Sequence, residues 1–184
     1  MTTHKTTIEI VRGSVLEQDV EAVVNAANTA MRGGGGIDGA IHRAAGRGLM
    51  EELMRAAPHG AKTGSAVLTG GHNLKQPYIL HTPGPVWNGG GSKEAERLAS
   101  SYRSCLEKAD AQGLKSIAFC SISTGVYGYP LAKAAPLALA TVRDYLDAHP
   151  EMALTRVIFA MFQAQEYQAF TEAWERISGG NGGA

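Results

Sequence analysis

Hydrophobic and polar positions along the chain fall into short segments of two kinds. In TTIEIVRG (6–13) they alternate up to Val11, which predicts a half-buried strand near one edge of a sheet. EAVVNAAN (21–28) is a brief apolar run ending in asparagine. SAVLTGG (65–71) and YILHTPGP (78–85) predict two more strands, each closed by glycine or proline. SIAFCSIS (116–123) and RVIFAMF (156–162) are continuous apolar runs rich in β-branched and aromatic residues. Strands buried on both faces of a largely parallel sheet have this composition.

Between the strands the period changes to that of a helix. Leu98, Tyr102, Cys105, Leu106 and Ala109 share one helical face, and Gly113 supplies a stop. Tyr167, Phe170, Trp174 and Ile177 do the same near the C-terminus. The stretch 130–149 is also helical in pattern, with Pro136 either in its first turn or kinking it. Such alternation predicts an α/β sandwich with helices on both sheet faces. A single domain over 1–178 is expected, followed by a disordered GGNGGA tail at 179–184.

Composition narrows the class without naming a chemistry. The chain has 184 residues, enough for a core that needs no covalent staples, and is 44% hydrophobic. Seventeen basic residues balance seventeen acidic ones, so no overall field recruits nucleic acid or an anionic membrane. Two cysteines, Cys105 and Cys120, fall in an expected core helix and core strand, too few for a disulfide framework. MTTHKTTIEI has no apolar signal core, and no run approaches the ~18 residues of a membrane span. A reducing cytoplasmic location is expected.

The unusual chemistry lies in two glycine-rich loops. NAANTAMRGGGGIDGAIHRAAG (25–46) carries four consecutive glycines, Gly33 to Gly36, ahead of a helix. STGVYGYP (123–130) follows a strand and leads into another helix. Ligands in open α/β sheets bind beyond the carboxyl ends of strands, where both loops are expected. Glycines there admit close backbone approach, and a helix N-terminus presents free N–H groups to an anion. Two such loops side by side would cradle phosphate or diphosphate; the plainer reading of each is a tight turn.

Familiar phosphate motifs fail. Neither loop has the lysine and hydroxyl residue that end a P-loop. Gly34, Gly36 and Gly39 do match G-x-G-x-x-G, yet seven residues separate Asn25 from Gly33, whereas a Rossmann turn follows its strand directly. The acidic residues about 20 positions on, Glu51 and Glu52, sit in helical LMEELMRA rather than at a strand end. Asn28 and Asp38 flank the first loop, and Asp38 belongs in the first helical turn, where the dipole favours a carboxylate. It either orients a ligand hydroxyl or water, or simply starts the helix. Asn25 and Asn28 either meet a ligand or hydrogen-bond the turn. His42, four residues after Asp38, has no third ligand at zinc-like spacing, so no metal site is expected.

VVNAANTAMRGGGGIDGAIHRAAG with STGVYGYP, HTPGPVW and the closing VIFAMF resembles the macrodomains, in particular the MacroD-type branch that includes bacterial O-acetyl-ADP-ribose deacetylases. The resemblance implies a three-layer α/β/α sandwich with a mixed, mostly parallel central sheet. It also implies a cleft for ADP-ribose that uses neither metal nor cofactor. Asn28 and Asp38 match the pair at the distal ribose, and Gly33, Gly34, Gly35, Gly36 and Ile37 the loop that embraces ribose and phosphate. Asn25 joins the expected ligand-binding set. Ser123, Thr124, Gly125 and Val126 match the second diphosphate loop. Tyr127 takes the aromatic position of the distal-ribose pocket and completes an expected catalytic set with Asn28 and Asp38. Phe162 matches the aromatic that stacks on adenine.

One departure stands out. The family usually places an aspartate after the first strand to accept from the adenine amino group; here Ser14 occupies that position, followed by Val15. A neutral acceptor is weaker than a charge-assisted one, so looser adenine selection is expected. The resemblance implies metal-independent hydrolysis of acyl esters on the distal ribose. O-acetyl-ADP-ribose, and ADP-ribose carried on Asp or Glu of proteins, are the implied partners. The alternative is a reader module that binds ADP-ribose and hydrolyses nothing. Nucleic acid is not expected as the main substrate, and no membrane partner is expected.

Overall fold

The computed structural model describes residues 6–179. In chain order it contains β1 (Thr7–Arg12), a 3-10 turn (Val15–Glu17), β2 (Ala22–Ala27), α1 (Gly36–Ala45), α2 (Arg47–Ala56), β3 (Val67–Gly70) and β4 (Tyr78–Pro83). There follow α3 (Glu94–Ala111), β5 (Ser116–Phe119), α4 (Leu131–Ala148), β6 (Arg156–Met161) and α5 (Ala164–Gly179). The strands make one sheet in the order β1-β6-β5-β2-β4-β3. Every neighbouring pair is parallel except β3 with β4. The alternating segment thus forms an edge strand, and the continuous apolar runs form interior ones.

Side-chain direction separates the two helical layers. Successive residues of a strand point to opposite faces. His81 of β4 contacts Asn25, which reaches Asp38 of α1, whereas its neighbour Thr82 bonds the thiol of Cys105 in α3. Helices α1 and α2 therefore cover one face and α3 the other, where α4 packs on α3 and α5 on α4. The result is a three-layer α/β/α sandwich with a mixed, mostly parallel sheet.

Beneath α3 and α5, Tyr102, Phe119, Phe159 and Phe170 form a contiguous ring cluster with centroids 5.2 to 5.6 Å apart along the chain of contacts. Such offset and tilted pairs add to simple area burial. Helix α3 ends as its sequence predicts: Gly113 sits at φ 69°, its N–H bonds Asp110 and that of Leu114 bonds Ala109, a Schellman motif.

Two local expectations change, and of the two alternatives for Pro136 the first-turn one is excluded. β5 stops at Phe119, so Cys120 lies just beyond the strand, because the chain turns there toward the left-handed Ser123. Both cysteines are buried and free. Desolvation first, then neighbouring charge, pushes the Cys120 thiol up to about 12 and raises that of Cys105 as well, which suits inert core thiols. Pro136 lies six residues into α4, outside the first turn, and deprives the Ala132 carbonyl of a helical donor. Gly179 closes α5, and the remainder of the expected tail, 180–184, lies outside the described residues.

Candidate ligand site at the carboxyl edge of the sheet

Five parallel strands deliver their carboxyl ends to one edge, so the segments that follow them converge. Ser14 follows β1, the Asn28–Gly35 loop β2, Gly84–Trp87 β4, the Ser121–Pro130 loop β5 and Phe162 β6. β5 and β2 are neighbours, which brings the two glycine loops side by side.

Asn28 organises the first loop. Its Oδ1 accepts from the Met31 N–H at 3.1 Å and its Nδ2 donates to the Gly33 carbonyl at 2.9 Å, while Met31 sits at φ 56°. The loop then runs exposed through Gly34, Gly35 and Gly36 into α1, whose cap residue Gly35 makes no side-chain capping bond. First-turn N–H groups are thus left without a side-chain acceptor. Two glycines lie tight against this framework. A Cβ on Gly34 would lie 3.2 Å from Asp38 Oδ2 and 3.4 Å from Asn28 Nδ2. A Cβ on Gly39 would lie 2.7 Å from the Gly34 carbonyl oxygen. The loop is therefore laid directly against the helix that carries Asp38.

Asp38 itself is 4% exposed, yet its carboxylate is well partnered. Oδ1 accepts from Asn25 Nδ2 at 2.8 Å and lies 3.3 Å from His42 Nε2. Asn25 is fully buried behind it, facing Asp38 rather than the open side of the loop. The same Asn25 Nδ2 lies 3.1 Å from His81 Nδ1, and His81 Nε2 lies 2.9 Å from Thr69 Oγ1. Asn25 and His81 are register partners on adjacent strands, which is why their side chains meet. Desolvation, with the nearby His42 second, lowers the His81 pKa to about 3, so this imidazole is neutral. Oδ2 of Asp38 is left on the Gly34 and Asn28 side.

The second loop is equally shaped. Ser123 adopts φ 69°, is 6% exposed, and its Oγ has no hydrogen-bond partner. Ser121 Oγ and Thr124 Oγ1 share a hydrogen bond of 2.5 Å, and the Gly128 N–H bonds the Gly125 carbonyl. Gly125 and Val126 are exposed at the tip and Tyr127 is half-buried. The Tyr127 carbonyl accepts from the Trp87 N–H at 2.9 Å, tying this loop to the one after β4. Trp87 packs on Tyr129 at 4.7 Å, with the Lys133 ammonium 5.7 Å from its ring centre. That neighbouring loop is itself gathered by Glu94, whose carboxylate accepts from the N–H groups of Asn88 (2.9 Å), Gly90 (2.8 Å) and Ser92 (2.5 Å). The Asn88 bond, helped by the others and against burial, holds the Glu94 carboxyl below its ordinary range.

At the far end, Ser14 caps the 3-10 turn, its Oγ accepting from the Leu16 N–H at 3.1 Å. Val15 is buried beside it, and Phe162 is 69% exposed just past β6. The two strand ends are tied together: the Gly13 N–H bonds the Met161 carbonyl and Arg12 Nε donates to that of Phe162. Gln76 Nε2 donates to the carbonyls of Leu16 and Gln18 at 3.0 and 2.8 Å and holds the turn from below.

Each expected site residue thus lies at or directly behind this edge. His81, Thr69, Gln76 and Glu94 also serve the site without being among the residues expected from the sequence. For His81 and Thr69 the signal is a polar residue at an interior position of a strand, and for Glu94 an acidic residue opening a helix after a glycine-rich turn; Gln76 lies in the loop between β3 and β4 and carries no such signal. Among the described residues no group of three or more His, Cys, Asp or Glu could hold a metal ion, and no helix is long and apolar enough to cross a membrane.

The profile of the Macro domain family matches residues 24–138. A macro domain-containing protein of Caldanaerobacter subterraneus subsp. tengcongensis is 44% identical over 175 residues, covering 94% of this chain and 98% of that protein. An O-acetyl-ADP-ribose deacetylase of Salmonella gallinarum is 49% identical over 144 residues, 77% of this chain and 80% of that enzyme. Among solved structures, a point mutant of the Oceanobacillus iheyensis macrodomain with ADPR superposes with a TM-score of 0.89 at 37% identity, covering 95% of each chain.

Proposed function

We propose, from the premise that this chain belongs to the Macro domain family, that it binds ADP-ribose and hydrolyses acyl esters on the distal ribose. The observation that carries the reading is the setting of Asp38. Its Oδ1 is held from behind by Asn25 and His42, while Oδ2 lies on the side of Asn28 and the exposed glycine loop. A reader needs no carboxylate fixed in that way.

The loop after β2 receives the distal ribose and adjoining phosphate, with Gly33 to Ile37 supplying backbone contacts. Ser123 to Val126 take the other side of the diphosphate, and Tyr127 bounds the ribose pocket. Water attacks the acyl carbonyl, the bond from acyl carbon to ribose oxygen breaks, and ADP-ribose and a carboxylic acid leave. The α-phosphate of the substrate holds the water, Asp38 polarises the water or the ribose hydroxyl, and Asn28 fixes the ribose. Loop N–H groups stabilise the developing oxyanion, each worth up to roughly 3–4 kcal/mol where such donors have been removed. Ser14 and Phe162 receive adenine.

O-acetyl-ADP-ribose and mono-ADP-ribose esters on protein Asp or Glu are the two substrate forms. The test is incubation with O-acetyl-ADP-ribose and measurement of released acetate. Release above the uncatalysed rate is expected; binding of ADP-ribose with no release would leave a reader and end the enzyme reading.

A further inference from the structure

Behind Asp38 runs a chain of buried polar groups that reaches the far edge of the sheet. Asn25, His81 and Thr69 are 0%, 0% and 2% exposed, so each of their protons must be placed inside the protein. Thr69 Oγ1 donates to the Gly70 carbonyl at 3.1 Å, which spends its only proton. Its oxygen therefore accepts from His81, and Nε2 of His81 carries a hydrogen. A neutral imidazole has one N–H, so Nδ1 is left as an acceptor. It faces Asn25 Nδ2, whose second hydrogen points at Asp38 Oδ1.

This arrangement decides how the Asn25 amide lies. With Nδ1 of His81 as an acceptor, Asn25 presents its NH2 group to both His81 and Asp38, and its Oδ1 remains without a partner. Were the hydrogen on Nδ1 instead, the imidazole would call for the amide oxygen. Turning the amide to supply it would set an oxygen against the Asp38 carboxylate. The unpartnered Asn25 oxygen is the cost of serving the other two groups, since a buried acceptor without a partner is destabilising. Of the groups facing His81, Thr69 comes from β3, Asn25 from β2 and His42 from α1, the last with ring centres 6.4 Å apart.

We propose that His81, held by Thr69 as the Nε2–H tautomer, is a positioning residue that orients the Asn25 amide and through it the Asp38 carboxylate. A threonine on the outermost strand thereby selects the donor that meets the reactive carboxylate three strands' side chains away. The rate consequence rests on the ester hydrolysis proposed above; the proton arrangement does not.

The test pairs Thr69→Val, which keeps shape and removes the hydroxyl, with Thr69→Ser, which restores it, and adds His81→Asn, which keeps an acceptor near Nδ1. Long-range 15N–1H spectra of the imidazole report the tautomer, and the Asn25 side-chain signals report its two hydrogen bonds. In the unmodified protein His81 should show a protonated Nε2 and bare Nδ1 throughout about pH 5–8. Thr69→Val should show Nδ1–H signal, weaken the Asn25 bonds, and lower kcat about tenfold, with KM and the ADP-ribose Kd within about twofold. Thr69→Ser should recover the parental kcat, and His81→Asn should fall between.

A protonated Nδ1 in the unmodified protein, or a Thr69→Val variant with parental kcat, overturns the proposal. So does failure of serine to rescue, since that would mark a merely structural threonine. Should the unmodified protein release no acetate at all, the hydrolase reading falls, while the imidazole and Asn25 spectra still decide the positioning chain.

Discussion

Gly39→Ala sets two effects of opposite sign against each other. Gly39 lies inside α1 with ordinary helical backbone, and alanine there should stabilise a helix by ~0.5–1 kcal/mol. The new Cβ, however, would stand 2.7 Å from the Gly34 carbonyl oxygen and 3.0 Å from Arg43 Nη1. The arginine can swing away; the carbonyl cannot without moving the loop. Ordinary contact needs the loop to retreat by about half an ångström or more, and overpacking of this kind costs ~1–3 kcal/mol when the surroundings resist.

They resist little, because Gly34, Gly35 and Gly36 are exposed and nothing lies within 4 Å of the Cβ positions of the last two. Stability should therefore change by less than ~1 kcal/mol, about 2–4 °C in Tm for a chain of this size. The displaced loop should instead appear in binding: an ADP-ribose Kd at least tenfold weaker by calorimetry, about 1.4 kcal/mol. A Tm raised by the full helix-propensity gain with an unchanged Kd would refute the claim that the loop is clamped against α1 in its binding geometry.

Two other perturbations probe the ends of the site. Ser14→Asp keeps an acceptor that can cap the 3-10 turn and adds a charge; ADP-ribose should bind about fivefold tighter, near 1 kcal/mol, by calorimetry, and an unchanged Kd would mean adenine is met elsewhere. Glu94→Gln should lower Tm at neutral pH and loosen the Trp87 loop, read by tryptophan fluorescence. Because the Glu94 carboxyl is held below its ordinary value of 4.5, its contribution is complete above that pH and is lost as pH falls through the folded-state value. The Tm gap between parent and variant should thus close on acidification below about pH 4.5, and a gap independent of pH would contradict the role.

Much of this was legible in the chain because the signals were local. Alternation in TTIEIVRG marks an edge strand, the unbroken runs mark interior ones, and Gly113 stops α3. The two glycine loops could be placed at strand ends before their distances were known. What stayed hidden depends on register. Nothing local in YILHTPGP says that His81 stands opposite Asn25, or that Thr69 of a different strand will sit against its far nitrogen. Asn25 is expected either to meet a ligand or to hydrogen-bond the turn; strand alternation turns its side chain inward, toward Asp38. Glu94 carries no local mark of its role, and only the folded loop shows three N–H groups converging on it.

Asp38→Ala provides the most direct check on the proposed chemistry. Purified parent and variant would each be titrated with ADP-ribose by calorimetry and assayed for acetate release from O-acetyl-ADP-ribose. If Asp38 does its work on the water or ribose, the variant keeps ADP-ribose affinity within a few-fold while its turnover falls by about 100-fold or more, the scale on which a positioned acid–base group acts. Acetate release at the parental rate from an Asp38→Ala protein that still binds ADP-ribose would contradict the assignment.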